Sequence, residues 1–528
     1  MSTLSAVARN ISWNYLDAAV NLLVYLLLTP VVVAQLGATG FGMWVLINAI
    51  LYYLRFLDLG FNTALVKYIA ELTERGAWRR VNSLIGATIS MLLLAGVMAQ
   101  VLSVLVALWI VPHFFNLSPQ HVWEFQVAVV LLGAQLLLGF PLSVFDAIYE
   151  GRQRFDVLSG VGAVCRVISA VAILACLSHG YGVIALVLVQ IFATLLQAAI
   201  FFSLLHRLVP QVRLRLRPMV GWRYRQLRAY SGWSALNELI TEGSSELEKL
   251  LIPFLLSVSL VTPYTLVCAV AAVIFLAIEP ITDTFFPLSS AYDAKNDKQR
   301  LRHLLRRGSQ LVMAISLPLA VVVIAYGEAF IGIWIGEEHV VVPDGVLPLV
   351  VVSFTITAFV ITSGTILLAL AKVRQVFWMT ASELVLVLVL VLLLTPGGGL
   401  AGFAGALLIA NGVLAFLWTI PYICWLLEES LFGYLWRSLL RPLLAAVPAL
   451  LAAAVLDRLL GSDSLLPLVV KSAGVGGTFV MVFWVVSLSP AERRLVADRG
   501  QQLWLRISGR GQGQQPAAST PPSADRPL

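Results

Sequence analysis

The sequence predicts an all-α, polytopic membrane protein with about 14 transmembrane helices and both termini in the cytoplasm. Three observations support this fold class. Hydrophobic residues make up 59% of the 528 residues and charged residues 12%, about half the charge of a soluble domain. Fourteen apolar runs are close to the ~20 residues that cross a ~30 Å hydrocarbon core. The connections between these runs alternate in positive charge.

Each apolar run is predicted to be one membrane-spanning helix. In chain order the runs are Trp13–Val33, Phe41–Thr63, Ser83–Val111, Val127–Ile148, Val157–Cys176, Val183–Leu205, Trp233–Leu255, Tyr264–Pro287, Leu311–Ile335, Val346–Leu370, Val376–Leu394, Phe403–Leu426, Pro442–Leu456 and Leu466–Leu488. The thirteenth is the shortest, and it is the run for which a full crossing is least well supported.

Positive charge divides the thirteen connections into two sets. The even-numbered connections hold 23 Lys and Arg residues, whereas the odd-numbered connections hold only Arg458. Because Lys and Arg are retained on the cytoplasmic side of a membrane, the even-numbered connections are predicted to lie inside. The net charge of +7 is thus explained by topology and by attraction to membrane lipids with anionic headgroups, and no nucleic-acid partner is expected.

Two halves of the chain look related. Arg152-Gln-x-Phe155 follows the fourth run and Arg374-Gln-x-Phe377 follows the tenth, and a glycine follows each Arg at the same spacing, at Gly180 and Gly402. Six spans per half give both halves the same orientation, which predicts a parallel pseudo-repeat. The predicted units are an N-terminal six-helix lobe (1–205), a basic cytoplasmic linker (206–232), a C-terminal six-helix lobe (233–427), two additional helices (428–488) and a cytoplasmic tail (489–528), disordered from about residue 509.

The seventh run carries an unusual number of charges. Glu238, Glu242, Glu246 and Lys249 fall within an arc of roughly 80° on a helix. Such a stripe is too costly to face lipid, and a water-filled lumen explains it. Two structural alternatives are an ion pair between Glu246 and Lys249, and a later start of the helix that leaves the first two glutamates among the headgroups.

Arg166 lies in the middle of the fifth run and keeps its charge there. It therefore needs an anion, either a carboxylate of the protein such as Glu383 or a phosphate of a substrate, and Lys249 has the same two alternatives. Lys471, near the outer end of the last run, is predicted to snorkel outward. The secondary candidates, most of which snorkelling to the inner surface would explain, are Asp17, Arg55, Asp58, Glu279 and Asp283.

Several kinds of site have no sequence signal. The chain contains no GxxxxGK[ST] phosphate loop, no HExxH motif and no CxxC spacing among its four cysteines. No cofactor, metal site or disulfide is therefore expected. No aqueous domain is present to carry a soluble active site, and enzymatic activity is not expected.

Short motifs spread from the second to the eleventh run carry a resemblance to a known family. They are Asp58-Leu-Gly60-Phe-Asn-Thr-Ala-Leu-Val-Lys67-Tyr-Ile-Ala, Tyr149-Glu-Gly151-Arg152-Gln-Arg-Phe, Gly180-Tyr-Gly182, Phe286-Pro287-Leu-Ser, Ile333-Trp334-Ile-Gly336 and Lys372-Val-Arg374. In their order and spacing they resemble the polysaccharide transporter family of the multidrug/oligosaccharidyl-lipid/polysaccharide exporter superfamily, which includes the Wzx-type O-antigen flippases.

The resemblance implies two six-helix lobes forming a V. It also implies transfer of a polyprenyl-diphosphate-linked oligosaccharide from the inner to the outer leaflet of the bacterial inner membrane by alternating access, for use by polysaccharide assembly proteins. Arg166 and Lys249 are the residues expected to contact the diphosphate. Glu238, Glu242 and Glu246 are expected to couple transport to H⁺ or Na⁺, or to act as counter-ions. The acidic seventh run departs from the cationic lumen usual in this family.

Two other functions remain open at this point. A cation-coupled drug antiporter of the same superfamily would have a twelve-span core without the last two helices. A membrane-embedded glycosyltransferase or polymerase would favour a large outer loop with charged catalytic residues. The longest outer connection here, Pro112–Gln126, is short and holds no Lys or Arg.

Overall fold

The computed structural model describes residues 3–58, 60–115, 117–214, 243, 246–336, 339–460 and 464–487. Within these ranges the chain is helical and contains no strand. The helices are α1 (Thr3–Arg55), α2 (Phe61–Glu74), α3 (Trp78–Leu105), α4 (Val111–Phe114), α5 (Pro119–Leu142), α6 (Val144–Gly151), α7 (Phe155–Ser178), α8 (Val183–Leu208), α9 (246–255), α10 (Val261–Ala271), α11 (Val273–Thr282), α12 (Phe285–Asp293), α13 (Lys298–Ile335), α14 (Val346–Ala369), α15 (Val373–Leu414), α16 (Ile420–Leu426), α17 (Leu431–Leu435), α18 (Arg441–Leu459) and α19 (Leu465–Val486).

Eleven helices of the described part are long and apolar enough to cross a membrane, which confirms a polytopic α-helical membrane protein. Two of them are about twice the necessary length, Ala19–Asp58 with 40 residues and Val373–Leu426 with 54. Each is interrupted by one glycine with non-helical backbone angles, Gly37 and Gly399. Each therefore corresponds to two of the predicted runs. Most of the seventh run lies outside the described residues, and the number fourteen stays a prediction.

Turns with a left-handed residue recur in the two halves of the chain. Gly76 in the first half corresponds to Asn296 in the second, Gln153 corresponds to Ala371, and Gly180 corresponds to Gly399. The separation along the chain is nearly the same for the three pairs, and all six residues have positive φ angles, which non-glycine residues seldom adopt. This recurrence supports a parallel pseudo-repeat. The proposed domain boundaries remain predictions, and the tail and most of the 206–232 linker lie outside the described residues.

The residues that the Arg-Gln-x-Phe match paired are not structurally equivalent. At the end of α6 the amide of Gln153 donates to the carbonyl of Glu150, and that of Arg154 donates to the carbonyl of Tyr149. The same pattern at the end of α14 centres on Ala371, which precedes Gln375 of the sequence match by about one helical turn. The register predicted from the motif was therefore wrong. Arg374 lies inside α15, whereas Arg152 lies in the turn itself.

The last two long helices, α18 and α19, pack on α13. The hydroxyl of Tyr326 on α13 donates to the carbonyl of Ala453 on α18 at 3.1 Å, and the Gln310 amide donates to the carbonyl of Ser487 at the end of α19 at 2.9 Å. Deeper in the same interface, Lys471 is completely buried and its Nζ lies 2.7 Å from Asp457 Oδ1. The prediction that Lys471 snorkels outward was wrong, because its side chain is covered by protein and its ammonium group meets the 57% exposed carboxylate of Asp457 on the neighbouring helix.

A cluster of ion pairs ties the start of α13 to the turn after α16. Lys298 Nζ lies 2.7 Å from Glu428 Oε1, and Arg302 lies 2.8 Å from the other carboxylate oxygen. The Nε atom of Arg306 donates to buried Glu429 at 2.6 Å. The turn between α16 and α17, which leads towards α18 and α19, is thus held to α13 by charge.

The two halves of the chain meet at one end of the molecule. The indole of Trp334, at the end of α13, donates to the carbonyl of Leu26 at 2.8 Å, and Thr262 donates to the carbonyl of Ala38 at 2.5 Å. A Cβ atom at Gly42 would collide with the carbonyl oxygen of Val258, so glycine permits the close approach here. These contacts lie at the ends of the helices that the charge pattern places outside.

Candidate functional site

A cavity of about 1560 Å³ separates the two halves. Its lining comes from α1, α5, α7 and α8 on one side and from α9, α10, α14 and α15 on the other. It runs from Thr29 and Phe41, near the contacts that join the halves, to Arg55 at the far end of α1. A polar cavity at membrane depth is a functional site by default, because charged groups there must face protein or water.

The N-terminal wall of the cavity is rich in carboxamides. They are contributed by α1, α5 and α8 and are Asn21, Asn48, Gln135, Gln190 and Gln197. Asn48 donates to the carbonyl of Trp44 at 2.8 Å, and Gln190 donates to Asn48 Oδ1 at 3.4 Å. The Oε1 atoms of Gln135 and Gln190 have no hydrogen-bond partner among the described residues. Two buried acceptors with unused capacity thus belong to this wall.

Arg166 lies in the N-terminal wall, and its anion is Asp17. The Nη1 atom is 2.6 Å from Asp17 Oδ1, and the Nη2 atom is 3.4 Å from Oδ2. Gly162, one turn before Arg166 on α7, lies beside the same carboxylate, at a distance where a Cβ atom would make an ordinary contact with Asp17 Oδ1. Of the two alternatives for Arg166, the structure gives the protein carboxylate, and it is Asp17 rather than Glu383. The pair connects α1 to α7.

The C-terminal wall carries the carboxylates. Glu246, Glu248 and Glu383 all line the cavity, together with Lys249. Lys249 Nζ lies 2.6 Å from Glu246 Oε1, one turn earlier on the same helix. Glu248 accepts a hydrogen bond of 2.6 Å from the hydroxyl of buried Tyr264. The ion pair between Glu246 and Lys249, one of the structural alternatives for the seventh run, is therefore present, and it lines the cavity as well.

Arg55 differs from the other cations of the cavity. It lines both the central cavity and an adjoining cavity of about 460 Å³, and it forms no ion pair with any residue that the structure describes. The smaller cavity is also lined by Asp58, whose carboxylate accepts from the amide of Gly60 at 2.8 Å. Asp146, 3.4 Å from the Gln197 amide, lies on the same cavity. Arg55 is thus the cation best placed to meet an external anion.

The structure brings some of the predicted residues together and separates others. Arg166, Lys249, Glu246 and Arg55 share the central cavity. Glu279 and Asp283 are exposed and line neither cavity. Glu238 and Glu242 lie outside the described residues. The sequence did not single out the cavity residues Glu248, Gln135 and Asp146. Their place on the cavity walls depends on the packing of helices that are far apart in sequence.

The family comparison matches more than half of the chain. Residues 32–343 match the family described as polysaccharide biosynthesis protein. A Shigella flexneri protein described as a candidate O-antigen transporter is 20% identical over 404 residues, covering 76% of this chain and 93% of that protein. The uncharacterized Bacillus subtilis membrane protein EpsK is 20% identical over 336 residues, covering 62% of this chain and 65% of EpsK.

Solved structures with the same fold are transporters. The lipid II flippase MurJ in an inward closed conformation gives a TM-score of 0.66 at 12% identity, over 89% of this chain and 99% of MurJ. An inward-facing multidrug resistance MATE transporter gives 0.62 at 13% identity, over 77% of this chain and 96% of that chain. The likeness to MurJ extends over more of the chain, and at these identities both comparisons establish the fold alone.

Proposed function

This chain belongs to the polysaccharide biosynthesis protein family of the multidrug/oligosaccharidyl-lipid/polysaccharide exporter superfamily, and on that premise we propose that it flips a lipid-linked oligosaccharide. The substrate would be a polyprenyl-diphosphate-linked oligosaccharide, moved from the inner to the outer leaflet of the bacterial plasma membrane by alternating access. The product would then be available to polysaccharide assembly proteins on the outer side.

One observation carries this proposal: the cavity of about 1560 Å³ between the halves, with polar side chains on both walls. Pockets for drug-sized ligands occupy about 300–1,000 Å³, so this cavity has room for the headgroup of several sugars. Moving such a headgroup through hydrocarbon without a hydrated path would leave its polar groups unpaired. The contacts of Trp334 and Thr262 close the predicted outer end, which supports an inward-facing state.

The diphosphate needs a cation, and the geometry ranks the three that line the cavity. Arg166 and Lys249 already hold Asp17 and Glu246, so Arg55 is the first contact that we propose. Arg166 and Lys249 are the second contacts, and the substrate must compete there with a carboxylate. Glu246 would be released as Lys249 turns to the substrate, which would link substrate binding to H⁺ or Na⁺ uptake by the acidic seventh span, Glu238 and Glu242 included.

A cation-coupled drug antiporter is the second candidate function, and the carboxylates Glu246, Glu248 and Glu383 in the cavity favour it. The packed α18–α19 pair supports the flippase instead, because the twelve-span antiporter plan has no place for it. A likeness to MurJ over 89% of the chain, against 77% for the MATE transporter, agrees with this choice at the level of the fold.

The test uses the purified full chain in proteoliposomes. A polyprenyl-diphosphate-linked oligosaccharide is placed in both leaflets, and the fraction accessible to an added lectin is followed with time. We expect accessible substrate to rise well above that of liposomes containing no protein. Efflux of a cationic dye without any movement of the lipid-linked sugar would contradict the flippase function and favour the antiporter function.

A further inference from the structure

The charges of the cavity walls leave little positive potential for a substrate. Two of the three lining cations are neutralised within the protein, at 2.6 Å each, by Asp17 and Glu246. Glu248 and Glu383 also line the cavity, and neither forms an ion pair with a described residue. Arg55 is the third lining cation. Among the described lining residues, Arg55 is thus the one cation outside an ion pair, and Glu248 and Glu383 are two carboxylates outside an ion pair.

The opposite wall presents groups that suit hydroxyls. Gln135 is only 9% exposed, yet its Oε1 atom has no hydrogen-bond partner within the described part of the chain, and the Oε1 atom of Gln190 is in the same state. A buried acceptor left without a donor is unfavourable, so a ligand that donates to it is favoured. A carboxamide both donates and accepts, as does a sugar hydroxyl, whereas a carboxylate only accepts.

From these two walls we infer that the oligosaccharide headgroup is uncharged apart from its diphosphate, and that neutral sugars are preferred over uronic acids. The inference rests on the proposed flippase function. Arg55 takes the diphosphate, the carboxamides of α5 and α8 bind the hydroxyls, and the carboxylates of the facing wall exclude additional negative charge. A uronate in this cavity would meet Glu248 or Glu383 with no further cation among the described lining residues to compensate it, and an ionised carboxylate on that wall would repel it.

The test compares two substrates that differ in one group. Both carry the same polyprenyl diphosphate and the same sugars, but the terminal residue is glucose in one and glucuronic acid in the other. In proteoliposomes containing the full chain we expect the neutral substrate to move at least roughly ten times faster. Equal rates, or a faster uronate, would overturn the inference and leave the flippase function standing. If neither substrate moves, the flippase function fails and the inference fails with it.

Variants test whether the walls cause the preference for the neutral substrate. The measured quantity is the flipping rate of the neutral substrate divided by that of the uronate, which does not depend on the amount of protein. The double variant Glu248→Gln, Glu383→Gln should lower the ratio of neutral-substrate rate to uronate rate by several-fold, because the uronate should move faster. The matched control Glu279→Gln changes an exposed glutamate outside the cavity and should leave the ratio unchanged. A ratio that the double variant does not alter would contradict exclusion by these carboxylates.

The carboxamides are tested separately. Gln135→Leu and Gln190→Leu should each lower the flipping rate of the neutral substrate by several-fold, because a leucine side chain cannot form a hydrogen bond with the sugar hydroxyls. Gln100→Leu is the control, since Gln100 donates to the carbonyl of Val130 and lies off the cavity lining. Neutral-substrate rates unchanged in both variants would remove the carboxamide wall from the inference.

Discussion

The two walls of the central cavity both contain an ion pair of 2.6 Å, and the two pairs differ in what they connect. In the N-terminal wall Arg166 of α7 meets Asp17 of α1, 149 residues away. In the C-terminal wall Lys249 meets Glu246 one turn earlier on α9. The first pair holds two helices together, whereas the second lies along a single helix. Equal distances therefore do not imply equal roles.

The difference has a physical consequence for exchange with a substrate. Breaking the pair in α9 exposes two charges on one helix to a hydrated cavity and disturbs no helix contact. Breaking the pair between α1 and α7 leaves a charge at a helix interface, where it has lost its counter-ion. We therefore propose that Lys249 exchanges its carboxylate for a substrate more readily than Arg166 does, since only the N-terminal pair joins two helices.

The largest expected effect comes from Arg55, the cation that belongs to neither pair. Arg55→Ala should lower flipping roughly ten- to hundred-fold, because a hydrogen bond to a charged group contributes about 1.5–3 kcal/mol. Arg55→Lys should restore only part of the rate, since an ammonium group lacks the planar fork that binds a phosphate at two points. Flipping in proteoliposomes is the measurement. Arg79→Ala, on an exposed arginine at the start of α3, should retain the normal rate, and an active Arg55→Ala would shift the anion contact to Arg166 or Lys249.

The next largest effect is on stability, at the pair between α1 and α7. Arg166→Ala or Asp17→Ala should lower the melting temperature and the amount of protein in the membrane. The cost should stay below the ~3–5 kcal/mol of a fully buried pair, because the two side chains are 31% and 30% exposed. The double variant Asp17→Leu, Arg166→Met should recover most of the stability. A double variant as unstable as the sum of the single ones would show that the pair does not act as a unit.

The pair within α9 should give a smaller change in stability and a larger one in transport. The pair lies along one helix and joins no second helix, so Lys249→Met should lower the melting temperature less than Arg166→Ala does, although its side chains are only 25% and 21% exposed. Flipping should nevertheless fall if Lys249 receives the diphosphate. The double variant Glu246→Gln, Lys249→Met separates the two roles, since full activity there would limit Lys249 to neutralising Glu246.

The smallest expected effect lies outside the membrane, where the second half anchors its last helices. Hydrogen bonding to Lys298 and the nearby Arg302 lower the pKa of Glu428. A carboxyl with a lowered pKa stabilises the folded state above its ordinary pKa and loses that contribution as the pH falls through the lowered value. Glu428→Gln should therefore slightly flatten the acid side of a plot of melting temperature against pH. An unchanged profile would mean that these exposed charges contribute nothing measurable.

The sequence predicted the membrane architecture well because length, apolarity and loop charge are local properties. The runs predicted on either side of Gly37 and Gly399 coincide with helices that the structure divides at those residues. The repeat was recognised from Arg-Gln-x-Phe residues that do not occupy equivalent positions in the two halves. The feature that does correspond is the left-handed turn at Gln153 and Ala371, and residue type encodes such backbone geometry only weakly.

The site was predicted in part, and its limits have a common cause. Arg166 and Lys249 were recognised as cavity cations because a charge in an apolar run is conspicuous. Their partners were harder to identify. Glu246 was found because it lies one turn from Lys249, whereas Asp17 is 149 residues from Arg166 and only packing of α1 on α7 reveals it. The uncharged carboxamides of the N-terminal wall gave no signal at all, because single amides within apolar runs are unremarkable until they share a cavity.

The ion pair between buried Lys471 and exposed Asp457 also bears on how the chain enters the membrane during synthesis. A lysine that enters the bilayer alone on an inserting helix is unfavourable, although less so near the helix end, where Lys471 lies, than at the centre. Asp457 is on the preceding helix, 2.7 Å away in the folded protein, and the two helices are joined by a short connection. The translocon can therefore release α18 and α19 into lipid most easily as one hairpin, after both charges have left the ribosome. Insertion of α19 is thus assisted by Asp457, a residue of the preceding helix α18.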